Sequence, residues 1–367
     1  MTRVYNFSAG PSVMPLPVLE KIQSEMIEHG KSGQSVLEMS HRSKEYIAIW
    51  DQMEKDLRDI LDVPAHFKIL NLQGGATLQF AAIPLNLLGS ADDSADYLVT
   101  GQWSDRAIKE CAKYGKASTV CTGKASNFTS IPDPSTWKLN QQAKYVHYCD
   151  NETVHGVEFS YTPVVGDVPL VADMSSNFMS RPIDFSKHAV IYAGAQKNLG
   201  PAGNTVVFVD EKYLGKAELP ICPTYCSWKT AADAGSMYNT PSCFAVYAMG
   251  VYLQHTKQAG GVAHWEEQAK LKSRMLYDSI SSSDGFYTCP VDKSCRSRMN
   301  VPFQIKGGDE ALEKKFLALS TSRKLVNLAG HRSVGGLRAS LYNGMSLEGV
   351  KELVDFMKDF QQEQGQQ

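Results

Sequence analysis

Residues 189–203 read AVIYAGAQKNLGPAG, and the fold follows from how that stretch is parsed. Ala189 to Tyr192 is a short apolar run of the kind that forms a buried strand. The residues after it are small, and one long cationic side chain, Lys197, is delivered among them. Working outward, Pro169 to Ala172 is a second such run and ends in Asp173, 24 residues before Lys197. Phe67 to Leu72 is another, followed by Gly74-Gly75 and a helical pattern from Thr77 to Leu88. Tyr97 to Thr100 precedes a helical pattern from Asp105 to Tyr114, and Lys144 to Cys149 and Thr205 to Val209 complete the series. Short apolar strands alternating with helices predict an α/β fold, a mostly parallel sheet wrapped by helices.

Past about Gly250 the texture changes. A helix is expected near Cys243 to His255, closing the larger unit, and a long one over roughly Val262 to Ser281. Strand-like segments near Phe286 to Cys289 and Asn300 to Ile305 follow, then helices over Glu310 to Ser320 and Leu347 to Phe360. That order predicts a smaller α+β C-terminal domain at 259–367 beside a large domain at 16–258, joined by an N-terminal segment, 1–15. The polar tail Gln361 to Gln367 is expected to fray. A chain of 367 residues is long enough for two such cores.

Composition narrows the function classes. Apolar residues are 43% and charged residues 21%, ordinary for a soluble globular protein. Net charge is -2 and no basic cluster is concentrated enough to suggest a nucleic-acid or anionic-membrane partner. No apolar run reaches spanning length; the best, Phe80 to Leu88, contains Pro84 and Asn86. Met1 to Pro11 lacks the apolar centre of a signal peptide, so a cytoplasmic location is expected. The eight cysteines are scattered without metal or disulfide spacing, and no histidine pair sits at ligand spacing beside acids; no metal is expected.

Five segments carry candidate chemistry. Lys197 could form an imine if its amine is partly deprotonated, which confinement and nearby positive charge favour; a surface lysine in a glycine-rich turn would read the same way. Asp173, at a strand's carboxyl end, could pair with a pyridinium nitrogen, or serve as a helix N-cap. Gln73-Gly74-Gly75-Ala76-Thr77, between strand and helix, reads as a phosphate cup built on a helix N-terminus. It lacks the Gly-Lys-Ser/Thr ending of a Walker loop and is no dinucleotide fingerprint. Trp103 could stack on a flat ring or simply pack, and Thr153 could donate a hydroxyl to a phenolate oxygen. Lysine, acid, phosphate cup, aromatic and hydroxyl, each after its own strand of one sheet, together match a pyridoxal 5′-phosphate (PLP) site. Two further segments, Ser40-His41-Arg42-Ser43 and Gly330-His331-Arg332-Ser333 through Arg338, are rich in anion-binding groups. They suggest a substrate with more than one anionic group, or a solvated charged face.

The motifs resemble the phosphoserine aminotransferase family, a branch of the class V, fold-type I PLP enzymes, over nearly the whole chain. Asn6-Phe7-Ser8-Ala9-Gly10-Pro11, Glu38 to Ser43, Gly74 to Thr77, Trp103 and Asn151-Glu152-Thr153 come in the family's order. Asp173 to Ser176, Gln196-Lys197-Asn198, Tyr238 to Ser242 and Gly330 through Arg338 complete it. The resemblance implies that Lys197 holds PLP as a Schiff base and moves protons, that Asp173 pairs with the ring nitrogen, that Trp103 stacks on the ring and that Thr153 meets its hydroxyl. Gly75, Ala76 and Gln196 would bind the phosphate, with Asn239 and Thr240 supplied by the partner subunit of a homodimer. His41, Arg42, His331, Arg332 and Arg338 would bind substrate anions. The reaction implied joins 3-phosphohydroxypyruvate and L-glutamate to give O-phospho-L-serine and 2-oxoglutarate, in serine biosynthesis. Ala9 stands where some members carry a second serine, which leaves one minor contact open.

Two other readings compete. A class V relative such as a cysteine desulfurase or a serine–glyoxylate aminotransferase is the nearest rival, yet no cysteine stands in an evident desulfurase loop and a desulfurase would not need a second His-Arg cluster for a phosphate. A non-catalytic phospho-ligand-binding protein would need neither Lys197 nor Asp173.

Overall fold

The computed structural model describes residues 3–365. Its centre is a seven-stranded sheet ordered Phe67–Leu72, Thr205–Asp210, Val190–Gly194, Leu170–Asp173, Val146–Cys149, Ser94–Val99 and Lys116–Thr122. Every adjacent pair is parallel except the two made by Thr205–Asp210, which runs against both neighbours. The mostly parallel sheet is therefore as expected, and strand Phe67–Leu72 still points the same way as Val190–Gly194.

The inner strands are largely apolar because both faces are covered. Val190 and Tyr192 turn to one core with Phe80, Ile83 and Ala107, whereas Ile191 and Ala193 turn to the other with Trp50, Met53, Leu57 and Val246. Helices Gly75–Leu87 and Gln102–Cys111 supply the first cover, Lys44–Leu61 and Cys243–Gln258 the second. No helix among the described residues is long and apolar enough to cross a membrane.

A second sheet, Tyr287–Thr288, Asn300–Ile305 and Leu337–Ser340, is antiparallel and packs against helices Gly261–Ser281, Glu310–Ser322 and Leu347–Gly365. Phe7 belongs to this core, and Tyr5–Asn6 pairs in parallel with Leu325–Val326. The N-terminal residues thus attach to the C-terminal part before the chain enters the large sheet.

Two expectations need correction. The edge strand Lys116–Thr122 was not anticipated: mostly solvent-facing, it carries too few apolar residues to show a run. Nor does the tail fray at Gln361, because the last helix continues to Gly365. Gln361 Nε2 donates to the Ser283 carbonyl at 2.9 Å and Lys315 Nζ donates to Gln364 Oε1 at 2.8 Å, so polar residues hold the final turns against the turn after Gly261–Ser281 and against helix Glu310–Ser322. Gln366 and Gln367 lie outside the described residues.

Phe316 is 0% exposed and meets Tyr287, Phe303, Phe356 and Phe360 with ring centroids 4.8–6.2 Å away. Phe316→Ala is expected to destabilise the C-terminal core by about 3–5 kcal/mol, read as a lower midpoint in urea unfolding followed by far-ultraviolet circular dichroism.

Candidate active site

Parallel strands open their carboxyl ends to one edge of the sheet, and loops from five of them meet there. They line a cavity of ≈ 680 Å³, the size of a small-molecule site. Gly75 and Ala76 follow Phe67–Leu72, Trp103 follows Ser94–Val99, and Thr153 follows Val146–Cys149. Asp173 closes its own strand, and Gln196 and Lys197 follow Val190–Gly194. His331 and Arg338 reach the same cavity from the C-terminal part.

The local geometry of each group has a cause. Helix Gly75–Leu87 begins after Gly74, whose φ of 92° is the left-handed region that glycine tolerates, and no side chain caps it. Its first amides face the cavity with the helix dipole behind them, a cradle for an anion. Asp173 is 4% exposed, and its Oδ1 accepts the Ser175 N–H at 2.9 Å. Burial raises its pKa above the usual carboxylate range, and the Ser175 bonds and Lys197 charge oppose that. Burial, joined by the Arg338 guanidinium, holds the Lys197 ammonium below the usual lysine range against the pull of Asp173. Lys197 Nζ lies 5.8 Å from the centroid of the Trp103 ring.

Trp103 Nε1 donates to Thr153 Oγ1 at 2.6 Å. That bond uses an acceptor site on Thr153 and leaves its hydroxyl proton free for a ligand oxygen. Arg338 Nη1 donates to the Thr153 carbonyl at 2.9 Å, so the C-terminal part is tied to the same loop. The Lys197 loop is held from behind as well. Asn343 N donates to Asn198 Oδ1 and Asn198 Nδ2 donates to the Phe178 carbonyl, both at 2.9 Å. Ser12 N donates to the Gln196 carbonyl at 2.8 Å, and Ser12 Oγ donates to that of Lys197.

Not every expected residue arrives. His41, Arg42, Arg332, Asn239 and Thr240 do not line the cavity; Arg42, Arg332, Asn239 and Thr240 are exposed. The Thr240 carbonyl accepts from Gln73 Nε2 at 2.9 Å, beside the phosphate-cup turn. Conversely, several lining residues were not anticipated. Asn151 and Asn204 face the cavity, with Asn151 Oδ1 and Asn204 Nδ2 buried and unpartnered. Ala9, Gly10 and Pro11 line it too; the Ala9 carbonyl accepts from Tyr342 OH at 2.7 Å, a main-chain contact indifferent to the side chain there. The Arg106 guanidinium lies 4.9 Å over the Trp103 ring and adds positive charge near His331. Its position one turn after Trp103 on a helix is the only signal that could have found it.

The sequence matches the aminotransferase class-V family over residues 4–353. The chain belongs to that family. It is 50% identical to the phosphoserine aminotransferase of Pseudomonas aeruginosa, covering 99% of each chain. The solved phosphoserine aminotransferase of Bacillus circulans subsp. alkalophilus superposes with a TM-score of 0.95 at 40% identity, covering 99% of each chain. A PLP-bound phosphoserine aminotransferase from Trichomonas vaginalis superposes at 0.93, also 40% identical, covering 97% of this chain and 100% of that one.

PLP is the cofactor of this enzyme class, and the cavity suits it. An uncapped helix start, a buried carboxylate, an amine of lowered pKa, an indole and the unpartnered Asn151 Oδ1 and Asn204 Nδ2 provide the donors and acceptors that a flat phosphorylated pyridine requires. The protein with PLP bound is expected to be yellow, and Lys197→Ala to lack the visible band of the lysine-bound cofactor. An unchanged absorbance spectrum in that variant would remove Lys197 from its role.

Proposed function

We infer that this chain transfers the amino group of L-glutamate to 3-phosphohydroxypyruvate, giving O-phospho-L-serine and 2-oxoglutarate in serine biosynthesis. The observation that carries the reading is one cavity lined by Lys197 and Asp173 on its sheet side and by His331 and Arg338 on the other. The first pair is what amino transfer needs, and the second is what an anionic keto acid needs.

Bound PLP supplies an electron sink for the substrate Cα. Asp173 would pair with its ring nitrogen, Trp103 would lie on its ring, and Thr153 would donate to its hydroxyl side. Gly75, Ala76 and Gln196 would take its phosphate. Lys197 would anchor it and then act as general base and acid, taking the proton from the donor's Cα. The lowered pKa of Lys197 enlarges the uncharged fraction of its amine at neutral pH, which is the form that accepts a proton.

Glutamate brings two carboxylates, and phosphohydroxypyruvate a carboxylate and a phosphate. Arg338 and His331 can meet these groups inside the cavity, with Arg332, His41 and Arg42 as further cations. Burial and the charges of Arg338, Arg332 and Arg106 keep His331 below its ordinary pKa. An incoming dianion offsets those charges and draws a proton onto the imidazole.

Asn239 and Thr240 are exposed and outside their own chain's cavity, which supports a homodimer in which they reach the partner's PLP phosphate. The reading also divides the chain into a large PLP-binding domain, 16–258, and a small domain, 259–367, joined by segment 1–15, and puts the enzyme in the cytoplasm.

Phosphohydroxypyruvate is expected to exceed hydroxypyruvate in kcat/KM by at least about a hundredfold, since a phosphate binding two cations is worth some 3 kcal/mol. Equal values would show that the phosphate is not recognised. Static light scattering is expected to return twice the chain mass, and a fully active monomer would refute the shared site.

A further inference from the structure

Helix Gln102–Cys111 has no cap of its own, because its N-cap residue is Gly101. Its free amides are satisfied from a distant part of the chain. Glu152, 0% exposed, accepts the Trp103 N–H through Oε2 at 2.9 Å and the Ser104 N–H through Oε1 at 2.8 Å. Ser104 Oγ donates to the same Oε1 at 2.6 Å and in turn accepts from the Thr100 and Gly101 amides at 3.0 and 3.1 Å.

The next residue, Thr153, accepts from the Trp103 indole. Trp103 is consequently gripped at both ends by two consecutive residues, its main chain by Glu152 and its side chain by Thr153. The close approach is reserved by Gly101. A Cβ at that position would stand 2.4–2.6 Å from the Cδ, Cγ and Oε2 of Glu152. Gly101 has φ -177°, which any residue adopts, so glycine is required there for space and not for its dihedral angle.

We propose that Glu152 is a positioning residue for the cofactor: its carboxylate locks the Trp103 and Thr153 loops into one unit, so that the ring-stacking indole and the ring-contacting hydroxyl keep a fixed relation. The proposal rests on the assignment of Trp103 and Thr153 to PLP. A carboxylate suits the task because it offers two acceptor oxygens and no donor to three converging donors. Glutamine does not, since its amide NH2 would meet an N–H whichever way it turned. The carboxylate lies close enough to Asp173, Cys149 and Lys197 for its charge to act on each. Burial pushes its pKa up to about 7, against the helix amides that favour the ionised form.

The test compares parent, Glu152→Gln and Thr153→Val by visible circular dichroism of the PLP-loaded enzyme, by PLP dissociation constant and by thermal stability of the PLP-free enzyme. Glu152→Gln is expected to alter the visible dichroism and weaken PLP by about tenfold or more, the scale of a lost hydrogen bond to a charged group. Gly101→Ala, which displaces the carboxylate instead of changing it, should give the same dichroism. If Glu152→Gln folds, keeps the parent's dichroism and binds PLP within twofold, the residue is only a helix cap and the proposal is overturned. Should that variant not fold, Ser104→Ala, which removes one of the three bonds, is read in the same way for a smaller change. A Thr153→Val enzyme with unaltered PLP binding would instead refute the assignment of Thr153, separately from the role of Glu152.

Discussion

Removing Lys197 and Asp173 from water together is the constraint on which the rest of the site depends. Burial favours the neutral form of each, raising the pKa of one and lowering that of the other, and each charge partly opposes that shift in its counterpart. Deleting one member leaves the other charge buried without compensation, which is why such pairs tolerate so little rearrangement. The surroundings then have to be rigid. Ser175, Asn198, Asn343 and Ser12 supply that rigidity through main-chain hydrogen bonds, using no further charge.

Charge pairs of a second kind stand farther back. Arg181 Nη2 meets Asp150 Oδ2 at 2.7 Å, and Arg298 Nη2 meets Glu158 Oε1 at 2.6 Å, with Asn177 Nδ2 donating to both carboxylates. Asp150 precedes and Glu158 ends the short hairpin that carries Thr153, and Arg298 belongs to the C-terminal part. The hairpin is therefore fastened at its base by ions and at its tip by Glu152 and Arg338.

Much of this was readable from residue order. Each buried strand of the large sheet that runs with Val190–Gly194 showed as an apolar run, because both of its faces are covered, and the residues just after it reached the cavity; the buried strand Leu337–Ser340 did not show. Lys116–Thr122 escaped since a solvent-facing edge strand need not be apolar. Asn151, Asn204 and Arg106 escaped for a different reason: they act through contacts with residues distant in sequence or through space, and only Arg106 carries a local sign, its place one turn after Trp103. Polarity misled at Gln361 and Gln364, whose amides bind the Ser283 carbonyl and Lys315 and are not given over to solvent.

Segment Tyr5 to Ser12 runs from the strand Leu325–Val326, past the C-terminal core at Phe7, to the cavity wall and the carbonyls of Gln196 and Lys197. Its partners lie far along the chain, Leu325 for Tyr5 and Tyr342 for Ala9. A chain in which only the large sheet has formed offers this segment the carbonyls of Gln196 and Lys197 at one end and nothing at the other, and its lysine loop has Ser12 and Phe178 behind it but not Asn343. The lysine loop is therefore complete only when both parts of the chain have folded against each other.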